Sequence, residues 1–285
     1  MTPSEAKAAI KAGRHVNAAL VLSGGGAPGV CIALGYIKGL LAAGFDFADI
    51  AGTSAGAVAS GLFASSVGGI QEAEARLRAI SIDAVEPSWW QETIQHTCGS
   101  DVCNESDAAL TLLRANVAGD WAGLRYNCQW WTSCLGSPSA RPAIADSSLF
   151  ATPAEAIRAS MAIPFALPCV KGLDGNRYVD GGLRFNVPIS PNWADRYDIV
   201  FVCVNSPAET FRPITKTINA IQQAKIVLDS ILEAQNDEAE NACFDMPNLV
   251  FFRLPPWPVE LNDLIFNFDL IDGAAAQVAK WMEQP

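Results

Sequence analysis

A serine bracketed by glycines, Gly52-Thr53-Ser54-Ala55-Gly56, follows the short apolar run Ile50-Ala51. Gly-x-Ser-x-Gly between a strand and a helix is how a sharp turn exposes a serine hydroxyl for nucleophilic attack. The turn is so tight that a side chain two positions either side of the serine would collide with neighbouring backbone, hence the glycines. Upstream, Gly24-Gly25-Gly26-Ala27-Pro28-Gly29 sets backbone N–H groups at a helix N-terminus. Such donors can hold a pyrophosphate or, equally, the oxyanion of a tetrahedral intermediate. The loop also fits the dinucleotide fingerprint Gly-x-Gly-x-x-Gly, with a strand before it and Asp46 about twenty residues on. The serine elbow favours the oxyanion reading, because a cofactor site gives no reason to present Ser54 between glycines.

A serine hydroxyl needs a base, commonly a histidine oriented by a carboxylate. Only two histidines exist, His15 ahead of the first strand and His96 in a Cys-rich segment. Neither stands last in chain order, where an α/β-hydrolase places its histidine. Tyr178-Val179-Asp180-Gly181-Gly182 instead puts an acidic residue at the end of a strand-like run, before two glycines that let the backbone turn tightly beside it. Asp180 is the candidate base.

Elements that would position these groups are visible along the chain. Residues 17–22 read as a buried strand, followed by the glycine loop and a helix through 31–41; residues 49–51 lead to Ser54 and a second helix. Strand, turn and helix repeat, which implies a parallel sheet covered by helices on both faces. Residues 198–204 and 248–254 are largely apolar runs suited to central strands, with a helix predicted over 215–240 between them.

The three motifs together, Gly24 to Gly29, Gly52 to Gly56 and Asp180-Gly181-Gly182, resemble the patatin-like phospholipase family. Ala159-Ser160-Met161-Ala162-Ile163-Pro164-Phe165 and Gly182-Leu183-Arg184-Phe185-Asn186-Val187-Pro188 are similar to the family's segments around its catalytic aspartate. The resemblance runs over residues 18–206. It implies a three-layer α/β/α sandwich with a mostly parallel sheet, related to the catalytic domain of cytosolic phospholipase A2. It also implies a Ser54–Asp180 dyad working without histidine, metal or cofactor, on a lipid or ester substrate at a membrane or micelle interface. The N–H groups of Gly25, Gly26 and Ala27 would form the oxyanion hole. The chain departs from the family pattern in having Ala27-Pro28 where a loop Arg or Lys is usual, and Ser23 where an Asp is usual. The missing cation leaves phosphate preference open, so a small-ester or thioester hydrolase is an alternative. A lipid-binding or partner-activated effector with little turnover is an alternative of another class.

At 285 residues and 50% hydrophobic, the chain can bury a large core, read as one catalytic domain over 1–285 completed by residues 207–285. A formal charge of -11 excludes nucleic acid and polybasic attraction to anionic lipid. Charges among the first residues give no Sec-type signal peptide, so a cytoplasmic location is the default expectation. The uncharged stretches 15–37 and 50–71 read as buried strand–helix pairs rather than membrane spans. Residues 87–142 carry Cys98, Cys103, Cys128 and Cys134 with the tryptophan pairs Trp89-Trp90 and Trp130-Trp131. That segment is an insertion and a possible lid, its cysteines free, disulfide-bonded or zinc-bound.

Overall fold

The computed structural model describes residues 1–83, 107–136, 139–164, 167–190, 192–208, 220–256 and 265–284. Helix α1 (Pro3–Lys11) begins at a capping box in which Thr2 and Glu5 satisfy each other's backbone N–H groups, with Pro3 in the first turn. Then come β1 (Ala18–Leu22), α2 (Gly26–Ala42), β2 (Phe47–Thr53), α3 (Ala55–Ala64) and α4 (Ile70–Asp83). The middle of the chain holds α5 (Ala108–Asn116), a 3₁₀ turn (Trp121–Gly123), β3 (Asn127–Cys134), β4 (Arg141–Ala145) and α6 (Pro153–Ser160). It continues with β5 (Val170–Lys171), β6 (Arg177–Asp180), and the short helices α7 (Gly182–Phe185) and α8 (Trp193–Arg196). The last elements are β7 (Ile199–Val204), α9 (Ala220–Asp245), β8 (Leu249–Arg253) and α10 (Asp269–Glu283).

The sheet runs β5-β6-β3-β2-β1-β7-β8, with β4 also paired to β3. Pairings from β3 through β8 are parallel, whereas β4, β5 and β6 join antiparallel at the β3 side. Every residue of β1 and β7 is buried, as expected of strands covered on both faces. Alternation along β1 shows the two layers: Ala18, Leu20 and Leu22 join the core formed with α2, α3 and α10, while Ala19 and Val21 join the core formed with Trp193, Ala239 and Cys243. The architecture is the expected α/β/α sandwich with a mostly parallel centre, and both uncharged stretches are strand–helix pairs inside it. Among the described residues, no helix is long and apolar enough to cross a membrane.

Helix α2 is buried along almost its whole length and lies against α10. A Cβ on Gly39 would come within 2.9 Å of Val278 Cβ, and one on Gly35 within 2.8 Å of Ala274 Cβ, so the two helix backbones pack at a distance only glycine permits. This fixes the axis whose N-terminus forms the glycine loop.

The possible lid needs correction. Residues 127–134 are β3, hydrogen-bonded in register to β2 (Ile50 opposite Cys128, Thr53 opposite Trp131), and a strand inside the sheet cannot open as a cover. Trp130 is fully buried, its indole N–H donating to Ser60 Oγ at 2.9 Å, so it is a core residue and not a membrane anchor. Residues 84–106, with Trp89, Trp90, His96, Cys98 and Cys103, lie outside the described residues, as does Trp257. Cys128 and Cys134 are free thiols, and burial pushes Cys128 up to about 12.

Candidate active site

The site lies where the C-terminal ends of β1, β2 and β6 meet. Ser54 stands between β2 and α3 with φ 51° and ψ -114°, and it is the only non-glycine residue with positive φ among those described. That conformation costs free energy for any residue with a Cβ and is retained only where surrounding contacts impose it. Those contacts are present. The backbone N–H of Ser54 donates to Ser160 Oγ at 3.0 Å, and Ser160 Oγ donates to the Trp131 carbonyl at 2.5 Å. Gly56 N–H donates to the Ser23 carbonyl at 3.1 Å, and Thr53 Oγ1 donates to the Phe185 carbonyl at 3.0 Å. The bracketing glycines are required by space: a Cβ on Gly52 would lie 2.7 Å from the Gly56 carbonyl, and one on Gly56 would overlap the Leu22 carbonyl.

Asp180 ends β6 and is 6% exposed. Its Oδ1 accepts from Gly182 N–H at 2.7 Å, whereas Oδ2 is buried without a hydrogen-bond partner among the described residues. Burial raises its pKa from 3.8 to about 6, opposed by the Ser54 hydroxyl and the Gly182 N–H. The Ser54 hydroxyl is thus near enough to lower the carboxyl's pKa. Gly181 leaves no room for a Cβ against the Trp131 carbonyl, which seats this turn on the end of β3.

The glycine loop completes the arrangement. A Cβ on Gly24 would fall 3.4 Å from Ser54 Cβ, so the loop runs directly beside the elbow. Gly24 N–H is engaged by the Asn186 carbonyl and Oδ1, at 3.3 and 3.2 Å. Gly29 N–H donates to the Gly25 carbonyl at 3.0 Å as the first bond of the α2 ladder. The N–H groups of Gly25, Gly26 and Ala27 have no acceptor among the described residues, and all three residues are half-buried. Ser23, at the position of the family's usual Asp, ties the loop to β7: its Oγ accepts from Asn205 N–H at 2.8 Å and donates to the Gly24 carbonyl at 2.7 Å.

Asp46 decides against the dinucleotide reading. It is exposed at the start of β2, and because β1 and β2 are parallel it lies at the opposite end of the sheet from the loop that follows β1. His15 precedes β1, exposed at that same distant end. Among the described residues no group of His, Cys, Asp and Glu could hold a metal ion.

Sequence reasoning missed how the parts are held. Ser160 caps the elbow from the end of α6, a helix begun by a Thr152–Glu155 capping box with Pro153 in its first turn. Behind it Arg158, fully buried, forms a two-point ion pair with Asp107 at 2.9 and 2.8 Å. Asp107 also caps α5 by accepting from Leu110 N–H at 2.7 Å, so this pair locks α5 to α6. The Thr-Pro-x-Glu run before α6 signalled the helix; nothing local signalled the ion pair.

A strained serine and a buried aspartate lie together on a mostly parallel α/β/α sandwich. The patatin-like phospholipase family model matches residues 146–193, which include Asp180-Gly181-Gly182, and the resemblance to that family holds. VipD from Legionella pneumophila shares the fold at 13% identity and TM-score 0.51, with 94% of this chain and 67% of that one covered. Human GIVD cytosolic phospholipase A2 shares it at 10% identity and TM-score 0.52, with 94% of this chain and 58% of that one covered. The chain thus spans about two thirds or less of the length of these structures. A search among curated proteins gives no match.

Proposed function

We propose that the protein is a lipid acyl hydrolase of the phospholipase A or carboxylesterase type, acting through a Ser54–Asp180 dyad. The observation that carries this reading is the buried, unpartnered Asp180 Oδ2 beside a serine held at φ 51°. Asp180 takes the Ser54 proton as Oγ attacks the ester carbonyl. The oxyanion of the tetrahedral intermediate accepts from the free N–H groups of Gly25, Gly26 and Ala27, aided by the positive ends of α2 and α3. Collapse expels the alcohol or lysolipid, which receives its proton from Asp180 and leaves an acyl ester on Ser54. A water then gives its proton to Asp180 and attacks the acyl carbon; as the carboxylic acid leaves, Asp180 returns that proton to Ser54 Oγ and both residues are restored.

With a pKa near 6, Asp180 is ionised at neutral pH yet far more basic than a solvated aspartate, which suits a general base. Family and fold support a lipid ester as substrate. The loop sequence Ala27-Pro28, without a cation, supports a second reading within the class, a small-ester or thioester hydrolase without phospholipid preference.

The test compares wild type with Ser54→Ala and Asp180→Asn on short-chain aryl esters and on phospholipid vesicles, with fluorophosphonate labelling of the serine. Both variants should lose hydrolysis, and Ser54→Ala should lose labelling. Undiminished hydrolysis in either would sink the dyad. Turnover confined to soluble esters would select the second reading, and labelling without turnover on any ester would point to an effector.

A further inference from the structure

Helix α9 reaches both halves of the candidate site through two amides. Gln235 uses both ends of its side chain: Oε1 accepts from Asn186 N–H at 2.7 Å, and Nε2 donates to the Gly182 carbonyl at 2.8 Å. It therefore spans α7, the single turn that follows Asp180. Asn186, 2% exposed, donates from Nδ2 to Asn236 Oδ1 at 2.9 Å and receives Gly24 N–H on its Oδ1. Gly182, whose carbonyl Gln235 holds, gives its own N–H to Asp180 Oδ1. Leu232, one turn earlier on α9, packs so close to Gly182 that a Cβ there would come within 2.9 Å of its Cδ2.

Following these bonds, one branch runs from Gln235 through Gly182 to the carboxylate of Asp180. The other runs from Gln235 and Asn236 through Asn186 to Gly24, beside Ser54. Among the described residues, α9 is the helix that hydrogen-bonds to α7 and Asn186, while Thr53 holds Phe185 from the sheet, so α9 contributes to the spacing between base and glycine loop. We propose that Gln235 is a positioning residue, which through Gly182 and Asn186 fixes Asp180 relative to Ser54 and the loop donors. It touches neither substrate nor nucleophile, and the inference rests on the dyad reading above.

A side chain that only filled space would change stability and leave the catalytic constants as they are. A positioning role predicts a different signature. Releasing Gly182 weakens its hydrogen bond to the Asp180 carboxylate, which removes one of the two groups that oppose the effect of burial. Neither is a charged side chain, so the acid limb of the pH–rate profile responds to this turn directly.

The experiment measures kcat and KM of the full chain on a short-chain aryl ester across pH, with thermal melting alongside, for wild type and Gln235→Met. The expected result is a fall in kcat on the order of ten-fold with KM within about two-fold, as misplacement of a catalytic group produces. The acid limb should also move to higher pH. If Gln235→Met does not fold, Gln235→Asn serves, since its amide is a methylene too short to reach both Asn186 and Gly182. A folded variant with wild-type kcat and an unmoved acid limb overturns the proposal. Ser54→Ala in the same assay separates the two failures: an inactive Ser54→Ala beside a fully active Gln235→Met refutes the positioning role alone, whereas an active Ser54→Ala refutes the dyad itself.

Discussion

The hydroxyl of Ser160 bridges the backbone N–H of Ser54 and the carbonyl of Trp131, tying the strained peptide of Ser54 to β3. Ser54 and Ser160 are buried and Trp131 is half-buried, so removing the hydroxyl leaves a donor and an acceptor without their partner together. Ser160→Ala is expected to cost about 1–3 kcal/mol of stability. Freed from its anchor, the elbow should also lose on the order of ten-fold in kcat with little change in KM. Denaturant unfolding and steady-state kinetics on the same preparation check both figures, and an unaffected kcat would detach Ser160 from the elbow's function.

Asp180 works against stability in the pH range where it would work for catalysis. Its pKa is raised in the folded state from 3.8 to about 6, so the fold binds the proton more tightly than the unfolded chain does. The sign follows: this group's contribution favours folding below pH 4 and is lost as pH rises through 6, amounting to about 3 kcal/mol at neutral pH. Asp180→Asn should therefore melt higher than wild type at pH 8, with the gap closing as pH falls toward 4. The same ionisation should give wild-type hydrolysis an acid limb near pH 6.

Ser54 carries a comparable conflict in its backbone. Glycine accepts φ 51° without steric cost, though it loses more chain entropy on folding. Ser54→Gly should be inactive yet about 1 kcal/mol more stable than wild type. Calorimetry at neutral pH would show it, and a less stable variant would mean that the serine side chain is itself held by its surroundings.

The Arg158–Asp107 pair offers a test of what locks α5 to α6. Removing one partner strands the other charge, and Asp107→Ala also uncaps α5. We expect Asp107→Ala or Arg158→Met to cost about 3–5 kcal/mol. The double variant Asp107→Leu/Arg158→Met should recover a large part of that loss; equal loss in single and double variants would show that the cap and packing, not the charges, hold the helices together.

What was legible in the sequence was dictated locally. The elbow could be read because its glycines answer a local demand for space, and β1 and β7 because strands covered on both faces admit almost nothing polar; β8, expected to be central, is instead the edge strand, half-buried at Phe251 and Arg253. Their observed limits, Ala18–Leu22, Ile199–Val204 and Leu249–Arg253, fall within a residue or so of the apolar runs. Asp180 stood out because two glycines followed it. The antiparallel strands β4 and β6 were hard to find, being short and half-polar, and β3 was mistaken for part of an insertion because its Cys, Gln and Trp residues break the usual apolar pattern. Ser160, Asn186 and Gln235 act through contacts between segments far apart in the chain, for which no spacing rule exists.

The register of the sheet also bears on how the molecule is made. The central strand β1 is flanked by β2 on one side and by β7, residues Ile199–Val204, on the other. A ribosome therefore delivers Ser54 and the glycine loop long before the strand that closes the sheet beside them, and before Asp180. Until then the nascent chain carries an apolar strand edge with nothing to pair it, the kind of species that chaperones exist to shield. Such late, long-range closure makes for slow folding.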